Sequence, residues 1–183
     1  MAPPPPPPSL VDRLLAERVL FPLLGVVLLG SLLFMGLRPK RYGAAADFDL
    51  PTVGADGELA PERVHLQALR GSPVLLDFWA TWCAPCRVEL PILASLHRRF
   101  GPRGLRVIGV NVDEGGPSLV PSFRQRFGLD YVMVYDVQGQ ASRAFNVQGL
   151  PTLVLVDKQG EVRLRHAGTA SEEELTRAIE PLL

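Results

Sequence analysis

Residues Phe78–Pro91 read FWATWCAPCRVELP and contain both cysteines of the chain, Cys83 and Cys86, separated by Ala84 and Pro85. The run leading in, PVLLDFWA (73–80), is almost continuously apolar. That is expected of a strand buried on both faces. The segment leading out, Cys86 to Phe100, places Val88, Leu90, Ile92, Leu93, Leu96 and Phe100 at mostly helical spacing. Pro91 is expected to kink that helix, and Gly101 and Gly104 to end it. Cys83 therefore stands where a buried strand gives way to a helix. A helix N-terminus carries free N–H groups and partial positive charge. Both favour a thiolate over a thiol, and the thiolate is the nucleophile. Cys86 comes one helical turn later, within bonding reach, and Pro85 suits an early helical position.

The segments around this unit point to a layered α/β domain. LRVIGVNV (105–112) is a second buried strand, PSFRQRFG (121–128) a helix stopping at Gly128, YVMVYD (131–136) a strand and SRAFNV (142–147) a short helix. TLVLVD and EVRLRHAG flank the turn DKQG (157–160) and read as a hairpin. Ser171 with Glu174 is a capping box opening the last helix. Upstream, FDLP and RVHLQAL read as short strands or turns. A parallel core pair followed by an antiparallel hairpin makes an α/β domain with helices layered on a sheet. No internal repeat is visible.

A C-x-x-C pair has several uses, and the rest of the chain narrows them. A structural zinc site needs four ligands, and the three histidines, His65, His97 and His166, lie at no finger spacing. Covalent haem attachment needs C-x-x-C-H, and Arg87 comes directly after Cys86. A clip closing so short a loop constrains little of the unfolded chain. A redox-active pair is the reading that remains. Asp77 lies inside VLLDFWA, either buried beside the thiols, where an ionised carboxylate is costly, or solvated on a strand face.

The chain has 183 residues and equal numbers, 19 each, of basic and acidic side chains. That balance leaves no electrostatic footprint for nucleic acid. Mean hydropathy is +0.16, raised by the uncharged run VLFPLLGVVLLGSLLFMGL (19–37). At helical rise this run spans roughly 28 Å, close to the bilayer core, and exceeds the apolar region of a cleaved signal peptide. The expected organisation is a proline-rich tail and juxtamembrane segment (1–18, with Ser9 and Asp12 as a capping box), an anchor (19–37), a linker (38–46) and a globular domain (47–183). Arg13 and Arg18 before the span, against Arg38, Lys40 and Arg41 after it, weakly favour the second flank inside.

FWATWCAPC resembles the active site of thioredoxin-like proteins, and GLPT (149–152) before a strand resembles their cis-proline loop. The anchor, ATWC.PCR.E.P and the NVDE after the second strand resemble the extracytoplasmic branch, the TlpA, ResA and CcmG/DsbE proteins; VRLRHAG and IEPLL are similar to CcmG/DsbE. The resemblance covers residues 47–183. It implies a thioredoxin fold, a central mixed sheet flanked by helices, behind one N-terminal transmembrane helix. It implies a thiol:disulfide oxidoreductase in which Cys83 attacks and Cys86 resolves, with Asp77 and Glu114 as nearby acids moving protons. Trp82, Leu150, Pro151 and Thr152 would meet the substrate, Pro151 in the cis form. No metal and no cofactor beyond the Cys83–Cys86 disulfide is implied. The implied partners are protein disulfides such as apocytochrome c and a membrane electron donor of the CcdA/DsbD type. The implied location is the inner membrane, single-pass, with the catalytic domain extracytoplasmic, opposite to the weak charge asymmetry. The implied task is reduction of cytochrome c precursors before haem attachment. CcmG/DsbE proteins typically have Glu after the loop proline, and this chain has Thr152, which leaves a general extracytoplasmic reductase or isomerase as the alternative. A peroxiredoxin would place Thr where Ala80 stands, and copper-delivery proteins of this fold space their cysteines C-x-x-x-C.

Overall fold

The computed structural model of the protein describes residues 25–31 and 42–183. The chain divides into two units, Met1–Pro39 and Lys40–Leu183. In the first, residues 25–31 are helical and their side chains exposed. Among the described residues no helix is long and apolar enough to cross a membrane. Most of the expected anchor, the proline-rich tail and the Ser9–Asp12 capping box lie outside the described residues.

The second unit is built on a seven-stranded mixed sheet of order β2-β1-β5-β4-β3-β6-β7. The strands are β1 (Asp49–Val53), β2 (Leu59–His65), β3 (Val74–Trp79), β4 (Arg106–Asn111), β5 (Val132–Tyr135), β6 (Thr152–Val156) and β7 (Val162–Ala167). The helices are α1 (Ala84–Phe100), α2 (Val120–Phe127), α3 (Gln140–Ala144) and α4 (Glu172–Ile179). β3, β4 and β5 are parallel neighbours, and β6 pairs antiparallel with both β3 and β7. The terminal hairpin is thus as expected from DKQG. The N-terminal strands are more regular than their sequence indicates: β1 and β2 form an antiparallel pair, and β1 joins the sheet beside β5. The domain also begins before Asp47. Ala44 bridges Glu161, and the Ala45 N–H donates to the Gly160 carbonyl at 2.8 Å, so part of the expected linker is sheet edge.

Every residue of β3 is buried. Its alternation sends Leu75, Asp77 and Trp79 to one face and Val74, Leu76 and Phe78 to the other. The first face packs under α1 with Leu90, Leu93, Leu96 and Phe100, and includes Leu175 and Ile179 of α4 and Val120 of α2. The second packs with Phe48, Leu66, Ala141 and Phe145. Each such aliphatic or aromatic side chain contributes about 1.5–3 kcal/mol on burial, so β3 is held from both sides and its C-terminal end is firmly placed. α1 runs on through Pro91 to Phe100; the missing proline N–H leaves the Arg87 carbonyl without its intrahelical donor. Ser171 caps α4, its Oγ accepting from the Glu174 N–H at 3.2 Å, as the capping box predicts.

Candidate active site

Cys83 is the N-cap of α1, and Pro85 lies in the first turn. The Cys83 Sγ accepts a hydrogen bond from the Cys86 N–H at 3.2 Å, one of the free donors of the helix start. The cysteines form a disulfide with Cα atoms 5.3 Å apart. Cys83 is 4% exposed and Cys86 1%, so what solvent access the pair has lies mainly with Cys83. On reduction, a thiolate at Cys83 would keep the N-terminal charge and that N–H beside it.

The segment before Cys83 is fixed through Thr81. Asp113, buried just past the end of β4, accepts from the Thr81 N–H at 3.0 Å and from its hydroxyl at 3.0 Å, and Asn111 Nδ2 donates to the same carboxylate at 2.8 Å. On the other side the Arg87 guanidinium donates to the Thr81 carbonyl from Nε at 3.2 Å and Nη2 at 2.8 Å. These charge-assisted bonds hold the turn that presents Trp82, which is 65% exposed. Trp82 lines a cleft with Thr81, Asp113, Glu114, Gly115, Ser118 and Leu119. Glu114 is exposed on that rim, beside Trp82 rather than under the disulfide.

The loop before β6 packs against the same cluster as the cysteines. The Leu150–Pro151 bond is cis. Leu150 is half-buried and packs against the cluster that contains Cys83 and Cys86. The Pro151 carbonyl accepts from the Gly168 N–H at 2.9 Å, whereas the Leu150 main chain makes no hydrogen bond among the described residues. Thr152 is 3% exposed and its hydroxyl donates to the Gly149 carbonyl at 2.7 Å. The Thr152 side chain is therefore turned into the loop, away from the exposed surface.

Two acids are buried where α1 packs on β3. Asp77 is 1% exposed, and neither carboxylate oxygen has a hydrogen-bond partner among the described residues. Burial, and secondarily the charge of Glu89, hold its carboxyl well above the usual carboxylate range. Glu89, on α1 one turn beyond Cys86, is also 1% exposed. Its Oε1 accepts from the Ala170 N–H at 2.9 Å, and its Oε2 has no partner among the described residues. Burial pushes Glu89 up to about 7, against the lowering effects of the Ala170 N–H and of His166. The Tyr131 phenol on the same side of the sheet is likewise buried, unpartnered and raised by burial and then by Asp77 and Glu89. A carboxyl near 7 in a dry site both gives and takes protons at neutral pH.

Sequence reasoning placed Asp77 beside the thiols or on a solvated face; the structure puts it inside. Glu89 escaped that reasoning, although a signal was present. Cys86, Glu89, Leu90 and Leu93 fall on one stripe of α1, and Glu89 sits at its centre. Val88, one of the apolar residues at helical spacing, is 65% exposed.

Residues 43–165 match the AhpC/TSA family. The chain is 39% identical over 145 residues to the thiol-disulfide oxidoreductase ResA of Geobacillus kaustophilus, covering 74% of this chain and 82% of that one. It is 33% identical over 138 residues to the thioredoxin-like protein YneN of Bacillus subtilis, covering 74% and 76%. A solved structure assigned to the thiol:disulfide interchange protein DsbE of Chlorobium tepidum superposes with a TM-score of 0.69 at 31% identity, covering 79% of this chain and 99% of that one. With a cysteine pair capping α1 on a thioredoxin-like sheet and relatives of the ResA and DsbE type, the chain belongs to the AhpC/TSA family and is a thiol-disulfide oxidoreductase.

Proposed function

We propose that the protein is a membrane-anchored, extracytoplasmic reductase of protein disulfides, acting in cytochrome c maturation on the oxidised C-x-x-C-H segment of an apocytochrome. The observation that carries the reading is the disulfide at the start of α1, in a domain that exposes Trp82 along a cleft with Glu114 and buries two carboxyls, Asp77 and Glu89. The reduced Cys83 thiolate attacks one sulfur of the substrate disulfide. A Cys83–substrate disulfide forms and the other substrate sulfur leaves as a thiolate, which takes a proton. Cys86 then gives its proton to the ionised Glu89 carboxylate, and its thiolate attacks Cys83 Sγ. The Cys83–Cys86 disulfide forms and the second substrate sulfur leaves. Two electrons have passed to the substrate; the first substrate thiolate takes its proton from solvent, and the second takes the Cys86 proton back from Glu89. A dithiol donor in the membrane, of the CcdA/DsbD type, returns the enzyme to its reduced form by the same exchange in reverse.

Asp77, buried beside Glu89, keeps its own proton while Glu89 is ionised, because a second negative charge there is disfavoured. Pro151 and Leu150 offer an extended substrate segment the unpaired Leu150 main chain, a form of β-augmentation that asks little of the substrate sequence. Trp82 and Glu114 supply the exposed side chains of the docking surface, and Thr152 holds the loop from within. The dithiol needs no added cofactor. Anchoring by 19–37 is supported by the length and charge-free character of that run. The extracytoplasmic side is supported by the resemblance to the ResA and DsbE branch.

Two experiments test the reading. Cys86→Ala in vivo should accumulate mixed disulfides through Cys83. Diagonal electrophoresis and mass spectrometry should find apocytochromes c, or a protein that passes electrons to them; a broad set of secreted proteins lacking C-x-x-C-H would replace the maturation role by a general reductase or isomerase. A membrane-impermeant maleimide should label the reduced domain on intact cells, or on spheroplasts where there is an outer membrane. Labelling only after lysis would place the domain in the cytoplasm.

A further inference from the structure

The row of side chains that carries Asp77 continues to the edge of the sheet. Asp77 of β3 pairs with Leu153 of β6, and Leu153 pairs with His166 of β7. Residues directly opposite in a ladder point to the same face, so Asp77, Leu153 and His166 form one row under α1. Two strand spacings separate its ends, roughly 9–10 Å. Glu89 descends onto this row from α1, between the buried acid and the edge histidine.

The loop after β7 ties Glu89 to His166. Its Ala170 N–H donates to Glu89 Oε1 at 2.9 Å. One residue earlier, the Thr169 carbonyl lies 3.2 Å from His166 Nε2. The other ring nitrogen, Nδ1, lies 3.3 Å from the Glu174 Oε1 on α4. The imidazole is thus braced on both sides, and its side chain is 24% exposed. The groups facing Glu89 are mostly acidic or neutral: Asp77 of β3, Tyr131 before β5, the Ala170 N–H, and Glu174 of α4 behind the ring. Glu172 of α4 is occupied with Ser95 of α1, and Arg124 of α2 acts on Tyr131. When protonated, His166 is the group whose charge opposes the burial of Glu89, its two ring nitrogens facing the Thr169 carbonyl and the Glu174 carboxylate.

We propose that His166 positions Glu89 for proton exchange with Cys86, bracing the loop that binds one carboxylate oxygen and supplying the compensating positive charge from the edge of the sheet. This rests on the reading of Glu89 as proton acceptor. It couples the thiol chemistry to a partly exposed pair, His166 and Glu174. His166 touches neither substrate nor sulfur; it acts through Glu89.

The test uses the full-length reduced protein in mild detergent with 5,5′-dithiobis(2-nitrobenzoate). Attack by Cys83 releases one thionitrobenzoate, and resolution by Cys86 releases the second, so the second phase reports the resolving step. Its rate is measured across neutral pH. In the wild type it should rise as Glu89 ionises, with a midpoint near the value of about 7 to which burial raises it. His166→Gln keeps a donor for the Thr169 carbonyl but removes the charge. It should move the midpoint up by about half a unit to one unit, slowing resolution near pH 7 by about two- to fivefold, while leaving the plateau at higher pH unchanged. His166→Lys should restore the lower midpoint. An unmoved midpoint in His166→Gln, or an equal loss of rate at every pH, overturns the proposal. Glu89→Gln separates the two levels: it should abolish the limb near neutrality. If that limb survives, the Glu89 reading falls and this inference with it. If it vanishes while His166→Gln leaves the wild-type midpoint in place, only the role of His166 falls.

Discussion

Replacing Glu89 by glutamine should make the protein's stability less sensitive to pH, because burial raises its carboxyl. In the unfolded chain a glutamate titrates near 4.5, whereas burial holds native Glu89 at about 7. Below about pH 4.5 both states keep the proton and the residue adds no electrostatic cost. Between these values the unfolded chain releases its proton and the native state retains it, so stability falls as pH rises. Above about 7 the loss is complete, at about 3 kcal/mol. Between pH 5 and 8.5 the wild type should lose about 2.5 kcal/mol through Glu89 alone. Glu89→Gln keeps a carbonyl to accept from the Ala170 N–H, and it leaves the constant cost of a buried amide, which cancels in a comparison across pH. Urea unfolding of the oxidised full-length protein in mild detergent, monitored by tryptophan fluorescence at both pH values, gives the two differences. The variant should gain about 2–3 kcal/mol relative to wild type on going from the lower to the higher pH. Parallel pH dependence in the two proteins would refute the reasoning, because Glu89 would then titrate alike in the native and unfolded states.

Other outcomes rest on the same geometry. Cys83→Ser should abolish disulfide exchange, and Cys86→Ser should react once and stall as a mixed disulfide, both read by non-reducing electrophoresis and intact mass. Asp77→Asn should leave the fold intact, because both buried oxygens already lack partners, yet slow the resolving phase by about tenfold or more with attack by Cys83 less affected; an unchanged resolving rate across neutral pH would remove Asp77 from the proton path. Asp113→Ala strands the Thr81 N–H and hydroxyl and should cost about 2–3 kcal/mol in urea unfolding. Trp82→Ala should lower kcat/KM for a protein disulfide by about tenfold while leaving the rate with a small aromatic disulfide unchanged.

Much of this was legible because the decisive segment combines three signals that agree. The unbroken apolar run 73–80 specifies a strand covered on both faces, the apolar spacing after Cys86 specifies a helix, and a reactive cysteine at the junction needs both. The antiparallel β6–β7 hairpin and the Ser171 cap were readable for the same reason: local turn and capping chemistry is written in adjacent residues. β1 and β2 were legible only as short strands or turns, because LPTV carries a proline and LAPERVH a proline and charges, and β1 joins the main sheet through non-local pairing with β5. The buried acids show the sharper limit. Val88 and Glu89 are neighbours about 100° apart on a helix, and residue type alone favours Val88 for the core. The sheet decides otherwise, since the stripe through Cys86, Leu90 and Leu93 includes Glu89 and the loop after β7 offers it the Ala170 N–H. Glu114 was chosen as the nearby acid from its place after β4, but that strand end turns outward, and it is Asp113 that faces in to hold Thr81.

Cys83 is the attacking sulfur and Cys86 the sheltered one, with exposures of 4% and 1% in the disulfide state and the helix N-terminus acting on the first. The most direct measurement is alkylation of the reduced full-length protein with a limiting amount of iodoacetamide near neutral pH, with peptide mapping of the two positions. Label should fall on Cys83 in at least about tenfold excess over Cys86. Equal labelling, or label concentrated on Cys86, would contradict it.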